Sequence, residues 1–169
     1  MRRMLTAKLR NSSGVLNRFT GVLSRRQINI ESISVGPTEV DGISRVTVIV
    51  DVASHDEVEQ IIKQLNRLID VVRVRDLTDI PHLEREVILV KISAPPTKRA
   101  EILAIIQPFR ANVVDVAPHS ITIQMTGDGD KIDALLRVIQ PYGIKNIART
   151  GATGFSRDYS SSIINPILR

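Results

Sequence analysis

The chain has 169 residues, a length that allows one medium domain or two small ones. It contains no cysteine, which excludes disulfides, thiolate catalysis and cysteine-ligated metals. The formal net charge of +5 is spread evenly along the chain, without a block of like charges. Because nucleic-acid binding usually relies on a clustered basic patch, the charge does not favour that class of partner.

The N-terminal segment lacks the features of a targeting or membrane segment. Lys8 interrupts the apolar residues 4–9, so no signal-peptide core is present there. No stretch approaches the roughly 20 apolar residues needed to span a bilayer. We therefore expect a cytoplasmic protein that has no membrane partner.

The first half predicts the order strand, helix, strand, strand, helix, strand. Residues 4–10, 28–35, 44–52 and 71–75 have strand character, and turn residues at 36–37 and 41–42 separate the second strand from the third. Ser54 and Glu57 form a capping box that opens the second helix. Apolar side chains at helical spacing define the buried face of each helix: Val15, Leu16, Phe19, Val22 and Leu23 in the first, then Val58, Ile61, Ile62, Leu65 and Leu68 in the second.

The same order repeats in the second half. Strands are predicted at 86–93, 113–117, 121–126 and 144–149, with a tight hairpin at Pro118-His119. The first helix spans 98–109, and the second begins near Asp128. Their inward positions are Ile102, Ile105, Ile106 and Phe109, then Ile132, Leu135, Leu136 and Ile139.

This repetition predicts an α+β chain of two tandem ferredoxin-like βαββαβ units, each a four-stranded antiparallel sheet with two helices on one face. The expected boundaries are 1–77 for the first domain, 78–83 for a linker and 84–158 for the second domain. Residues 159–169 form a tail without clear periodicity and are a candidate for disorder. The second face of each sheet needs a cover, either from the other half or from a partner chain.

One loop and one strand start carry the candidate site. The loop Asn11-Ser12-Ser13-Gly14 precedes the first helix, and Asn29-Ile30 follows it. A helix N-terminus favours a carboxylate, Gly14 permits close approach, and the two amides can bind either end of a zwitterion. Val15, Leu16 and Ile30 could surround an aliphatic side chain. This set suits binding of a small amino acid without transforming it.

Simpler interpretations stay open beside this one. Gly14 is also what an ordinary turn needs, and Asn11 or Ser13 would serve as a helix cap. The second copy has Ala94-Pro95-Pro96-Thr97 in the equivalent loop, with neither Gly nor Asn, so a site would belong to the first copy. We find no catalytic constellation and no metal-ligand spacing. Asp128-Gly129-Asp130 lacks the remaining ligands of a calcium loop and is interpreted as a helix start.

Strings of residues along the chain resemble a known family, the small regulatory subunits of acetolactate synthase, also called acetohydroxy acid synthase. The resemblance runs from Met1 to about Asp158, and its order and spacing make it specific. Its first half resembles an ACT domain, a small amino-acid-sensing module. The strings are Asn11-Ser12-Ser13-Gly14-Val15-Leu16-Asn17-Arg18, Asn29-Ile30-Glu31-Ser32-Ile33, Ser44-Arg45-Val46-Thr47, Glu84-Arg85-Glu86-Val87, Leu89-Val90-Lys91 and Ala148-Arg149-Thr150-Gly151.

The resemblance implies a homodimer whose ACT domains pair side by side, with valine bound between the chains. It places Asn11, Gly14, Val15 and Leu16 on one chain and Asn29 with Ile30 on the other. It also implies a non-catalytic subunit without cofactors of its own. Such a subunit activates a thiamine-diphosphate-dependent catalytic subunit, which would hold the thiamine diphosphate, Mg and FAD. It would transmit feedback inhibition by valine in branched-chain amino-acid (valine, leucine, isoleucine) biosynthesis.

The sequence departs from the family pattern at Gln27, where the family commonly has glycine between the first helix and the Asn-Ile strand. Glycine suits a left-handed helix cap, so Gln27 would cost about 1 kcal/mol if that geometry is kept.

Two other classes compete with this interpretation. An RNA-binding module of the same topology would stack bases on aromatic side chains, but residues 4–10 and 44–52 contain none. An enzyme would need a nucleophile or an acid–base pair, which the sequence does not offer. The sequence leaves open which aliphatic amino acid is preferred and which surface meets the catalytic subunit. The second domain and arginines such as Arg73 and Arg75 are candidates for that surface.

Overall fold

Two antiparallel sheets with their helices make up the structure, a computed structural model that describes residues 1–157. In the first sheet the strand order is β2-β3-β1-β4, the ferredoxin-like arrangement predicted from the sequence. Its elements are β1 (Arg2–Arg10), α1 (Val15–Arg25), β2 (Asn29–Pro37), β3 (Ile43–Asp51), α2 (His55–Leu65) and β4 (Val71–Asp76). The outer strands of this sheet are therefore β2 and β4.

The two faces of the first sheet differ in chemistry. Leu5, Ala7 and Leu9 of β1 are buried on one face, which they share with mostly apolar residues of β3 and β4. The helices bury apolar stripes that pack on this apolar face. These stripes are Phe19, Val22 and Leu23 of α1 and Val58, Ile61 and Leu65 of α2. The opposite face, which we call the polar face, carries Thr6 and Lys8 of β1 together with the buried Met4 and Ile49.

The second sheet repeats the arrangement with the strand order β6-β7-β5-β8. Alternate residues of β5 and β7 join the helices in one apolar core, which includes Ile88, Val90, Ile123, Ile102 and Ile132. Its elements are β5 (His82–Ser93), α3 (Arg99–Ile106), β6 (Asn112–Ala117), β7 (Ser120–Gly127), α4 (Gly129–Ile139) and β8 (Ile144–Arg149).

Three features depart from the sequence prediction. Strand β5 begins at His82, inside the segment expected to be a linker. The helix expected at 98–109 is α-helical only over Arg99–Ile106, with single 3₁₀ turns at Pro96–Lys98 and Gln107–Phe109. Pro108 explains the second turn, since it has no N–H to continue an α-helical ladder. A ninth strand, β9 (Thr153–Ser156), pairs with β5, whereas no strand was predicted after Gly151.

By its internal contacts the chain divides into two compact units. The first contains residues 1–31, 35–83 and 154–157, and the second contains residues 32–34 and 84–153. Within the first unit, the Gly154 N–H donates to Thr47 Oγ1 at 3.4 Å, so residues after β8 cover part of the polar face of the first sheet. The expected tail, 159–169, lies outside the described residues.

Helix ends follow the predicted capping. Ser54 Oγ accepts from the Glu57 N–H at 3.2 Å, while the Glu57 carboxylate accepts from the Ala53 N–H at 2.7 Å, one residue before the N-cap. Asp128 caps α4 through the Lys131 N–H at 2.9 Å, which agrees with a helix start. Over residues 1–157 no helix is long and apolar enough to cross a membrane.

Gln27 adopts the left-handed conformation in which the family commonly uses glycine, with φ of 56°. The Ile28 N–H donates to Leu23 O at 3.1 Å, and the Gln27 N–H donates to Ser24 O at 2.9 Å. These two bonds define a Schellman motif that ends α1. The motif is thus kept without glycine, and the strain falls on Gln27.

Candidate functional site

The loop before α1 is fixed at both ends. At its start, the Asn11 N–H donates to Gly42 O at 2.7 Å, which ties the end of β1 to the turn between β2 and β3. At its end, Gly14 has φ of 76°, and α1 begins at the next residue. A side chain at residue 14 would be strained by this φ, and its Cβ would lie 3.1 Å from Arg18 Nη1. The loop therefore needs glycine where the chain turns into the helix.

The N-terminus of α1 is open. Gly14 occupies the N-cap position, no side chain caps the helix, and its first turn contains no acidic residue. The N–H groups of Leu16 and Asn17 donate to no acceptor among residues 1–157. Neither Asn11 nor Ser13 caps the helix through its side chain, so that simpler interpretation does not hold within this part of the chain. Unpaired N–H groups with the helix dipole behind them favour an anion.

The side chains around this N-terminus are available to a ligand. Asn11 is exposed, and Val15 is half-buried. Leu16 was predicted to face the core, but 40% of its surface is exposed. The difference arises because Phe19, Val22 and Leu23 already form the buried stripe of α1. Leu16 thus presents an apolar surface beside the open helix end.

The second group of predicted residues lies at the start of β2. Asn29 is exposed and Ile30 is half-buried, and both lie on an outer strand of the sheet. Among residues 1–157, no hydrogen bond joins Asn29 to Asn11 or to the Gly14 loop. The structure thus places Asn11, Gly14, Val15 and Leu16 in the loop and first turn of α1, and Asn29 with Ile30 on an outer strand of the sheet.

Sequence reasoning missed one ion pair beside the loop. Asp70 Oδ2 accepts from Arg18 Nε at 2.9 Å and from Arg18 Nη2 at 2.6 Å. The Asp70 carbonyl also accepts from the Arg10 N–H at 2.8 Å. Asp70 therefore holds the end of β1 and the first turns of α1 together. One feature of the sequence could have indicated this ion pair: Arg18 lies one helical turn after Gly14, within the string Asn11–Arg18.

In the second unit, the side chain of Arg99 bridges the loop that is equivalent to Asn11–Gly14. The Ala94 N–H donates to His119 O at 3.0 Å, matching the tie between Asn11 and Gly42. Arg99 then donates to the carbonyl oxygens of Ala94, Ala117 and Pro118 at 3.2, 2.6 and 2.9 Å. The guanidinium cross-links the loop to the β6–β7 turn. The expectation that a site would belong to the first copy stays a prediction.

Three surface carboxyl groups have lowered pKa values, and each shift is caused by a hydrogen bond or an ion pair. A hydrogen bond from Lys8 lowers the pKa of Glu39, and the N-terminal ammonium lowers that of Asp51. A hydrogen bond from Tyr142 lowers the pKa of Glu101. None of these groups belongs to the predicted site. Residues 1–157 contain no cluster of His, Asp and Glu suited to a metal ion.

Comparisons with known proteins cover both halves of the chain. Residues 5–73 match the family model described as "AHAS small subunit-like ACT domain". Residues 85–158 match the one described as "Small subunit of acetolactate synthase". The acetolactate synthase small subunit of Lactococcus lactis subsp. lactis (strain IL1403) is 61% identical over 157 residues, which cover 93% of this chain and 99% of that protein.

Two further relatives agree with this assignment. The acetolactate synthase small subunit of Bacillus subtilis (strain 168) is 52% identical over 157 residues, covering 93% of this chain and 91% of that protein. The crystal structure of the acetolactate synthase small subunit from Thermotoga maritima matches with a TM-score of 0.84 at 30% identity, covering 93% of this chain and 98% of that chain. The chain therefore belongs to the small, regulatory subunits of acetolactate synthase, with an ACT domain in its first half and a large catalytic subunit as its implied partner.

Proposed function

We propose that this subunit binds L-valine at the open N-terminus of α1 and transmits the binding to the catalytic subunit as feedback inhibition. The observation that carries the proposal is the uncapped helix start behind a left-handed Gly14, beside the exposed side chains of Asn11 and Leu16. The ligand carboxylate accepts from the free N–H groups of this helix turn. The amide of Asn11 binds the ammonium group through its oxygen.

The second half of the proposed site comes from a partner chain. Asn29 and Ile30 lie at the start of β2, an outer strand of the sheet. A second copy that adds its own β2 edge to edge extends the sheet and supplies these two residues across the interface. The dimer would then hold two equivalent sites. A homodimer explains why each chain carries the residues in two separate groups.

The apolar residues set the preference for an aliphatic amino acid. Val15, Leu16 and Ile30 contribute only hydrocarbon, and burying each methylene of a ligand is worth about 0.8 kcal/mol. A polar ligand side chain would lose its water without gaining a hydrogen bond there. Discrimination among valine, leucine and isoleucine depends on the depth of the assembled pocket, at about 1–3 kcal/mol per methylene.

The proposed output acts on the catalytic partner. Valine stabilises one dimer geometry by its greater affinity for it, and that geometry suits the active catalytic subunit less well. A coupling of about 1–3 kcal/mol between the two equilibria would give clear inhibition. Without valine the subunit raises the activity of its partner, which holds thiamine diphosphate, Mg and FAD. The proposal thus assigns the chain a cytoplasmic role in branched-chain amino-acid biosynthesis.

Calorimetric titration of the purified chain with L-valine tests the proposal, with leucine, isoleucine and D-valine as comparisons. We expect saturable, stereospecific binding at no more than one valine per chain, with sedimentation showing a dimer. The same titration on the complex with the catalytic subunit serves as the second arm, since the partner could complete the site. Absence of stereospecific valine binding in both arms would rule out the effector role.

A further inference from the structure

The polar face of the first sheet carries a row of cations that the effector site does not use. Lys8 on β1 lies opposite Arg45 on β3 and Arg73 on β4. Thr6, two residues earlier, lies opposite Arg75. Opposed residues of antiparallel strands, and residues two apart on one strand, share a face. Arg45, Lys8, Arg73 and Arg75, which we call the basic row, therefore all point away from the helices.

The chain balances this row only in part. Lys8 Nζ pairs with Glu39 Oε1 at 2.8 Å, and the Arg45 guanidinium lies 5.7 Å from the ring centre of Phe155. Arg73 and Arg75 are exposed and form no ion pair with any residue from 1 to 157. Partial burial and the neighbouring Arg73 lower the pKa of Arg75. Like charges on adjacent strands repel, so this arrangement does not itself stabilise the sheet.

The geometry suits a surface that carries several carboxylates. Neighbouring strands are about 4.8 Å apart, so a row across three strands spans roughly 10 Å. Three of the four cations are arginines, whose planar guanidinium groups bind carboxylates through two parallel hydrogen bonds. The strands fix the order and backbone spacing of these donors.

We propose, on the basis of the regulatory role proposed above, that the basic row docks a carboxylate-rich surface of the large catalytic subunit. The row lies on the ACT sheet, so the sheet that responds to the effector also contacts the enzyme it regulates. Binding of valine at the α1 end of this sheet then acts on the docked subunit through the strands. Charge complementarity also speeds association and makes it sensitive to salt.

Charge reversal at the unpaired positions tests this docking surface. The variant Arg73→Glu/Arg75→Glu should raise the concentration of small subunit needed for half-maximal binding to the large subunit by about tenfold or more. The neutral pair Arg73→Gln/Arg75→Gln should have an intermediate effect. Wild-type binding should weaken as ionic strength rises, and the reversed variant should lose most of that salt dependence.

A matched control is Arg67→Glu/Arg137→Glu, which makes the same change in net charge at two exposed arginines outside the row. This control should bind the large subunit as the wild type does. L-valine binding by the reversed variant should stay within about twofold of wild type, since the row is not part of the effector site. Retained valine affinity also reports that the variant is folded.

The outcomes separate the two proposals. Direct binding decides the docking surface, and enzyme activity with added valine decides the regulatory role. If the wild-type chain binds the large subunit without changing its activity, the regulatory role fails. The comparison of binding by the variants would still test whether the basic row is the docking surface. Unchanged binding by the reversed variant would overturn the docking proposal, and the arginines would then serve only to protect an edge strand from aggregation. RNA binding is the other outcome that would overturn the docking proposal. In that case the wild type would bind single-stranded RNA, the charge-reversed variant would not, and both would bind the large subunit equally well.

Discussion

Arg18 and Asp70 form an ion pair whose guanidinium lies directly beside Gly14. Asp70 Oδ2 accepts two hydrogen bonds from Arg18, and Arg18 Nη1 would lie 3.1 Å from a Cβ at residue 14. Asp70 is largely buried, with 15% of its side chain exposed. The pair fixes the side of the loop that faces α1, so that the free N–H groups at the helix start keep one orientation. An anion that binds there would contact N–H groups that are already held in position.

Gly14→Asp should abolish L-valine binding and feedback. The new carboxylate would occupy the place proposed for the ligand carboxylate and would repel it. Gly14→Asn is the matched control because asparagine has the same size as aspartate and brings the same backbone strain at φ of 76° without the negative charge. We expect the asparagine variant to weaken binding by a smaller factor, which calorimetry would measure. Full valine sensitivity in Gly14→Asp would show that the site lies elsewhere.

Gln27→Gly should stabilise the protein by about 0.5–1 kcal/mol, because glycine removes the left-handed strain while its greater freedom in the unfolded chain offsets part of the gain. Gln27→Ala is the control, since alanine keeps the Cβ that causes the strain at φ of 56°. Urea denaturation of the three proteins gives the comparison. A stabilisation shared by both variants would contradict the conformational explanation.

Arg149→Leu should destabilise the fold by about 2–3 kcal/mol, because it leaves a buried carboxylate without its cation. Arg149 pairs with Glu86, which is 4% exposed, and with Asp133 at 2.7 Å. The double variant Glu86→Leu/Arg149→Leu removes both charges and should recover part of the loss. Equal losses in the single and double variants, measured by urea denaturation, would show that the ion pair is not the cause.

Tyr142→Phe should change how stability depends on acid pH. The Tyr142 hydroxyl donates to Glu101 Oε1, and this bond lowers the pKa of Glu101 below its ordinary value of 4.5. A carboxyl pKa that is lower in the folded state stabilises the fold above the unfolded pKa, and this contribution disappears as pH falls through the folded pKa. The wild type should therefore exceed the variant at neutral pH, and the difference should shrink in acid. Urea midpoints across this pH range provide the measurement, and a difference that is independent of pH would contradict this assignment.

Local patterns predicted most of the fold. The apolar spacing of Val58, Ile61 and Leu65 marked the buried face of α2, and alternation marked strands such as β7. Patterns of this kind depend only on nearby residues, so they are visible in the sequence. Two features were not predicted by these local patterns. Leu16 fits the α1 spacing yet is exposed, and β9 has only four residues, too few for a periodic signal.

Sequence patterns alone predicted the two ferredoxin-like units, the capping residues and the candidate loop, because these follow from residue type and short-range spacing. The folded chain was needed to show that α1 is uncapped, that Asp70 holds Arg18 beside Gly14, and that Arg99 bridges the equivalent loop of the second unit. It also aligned Lys8 with Arg45 and Arg73. Such relationships join residues far apart in the chain, and their register is set by packing of the whole sheet against its helices.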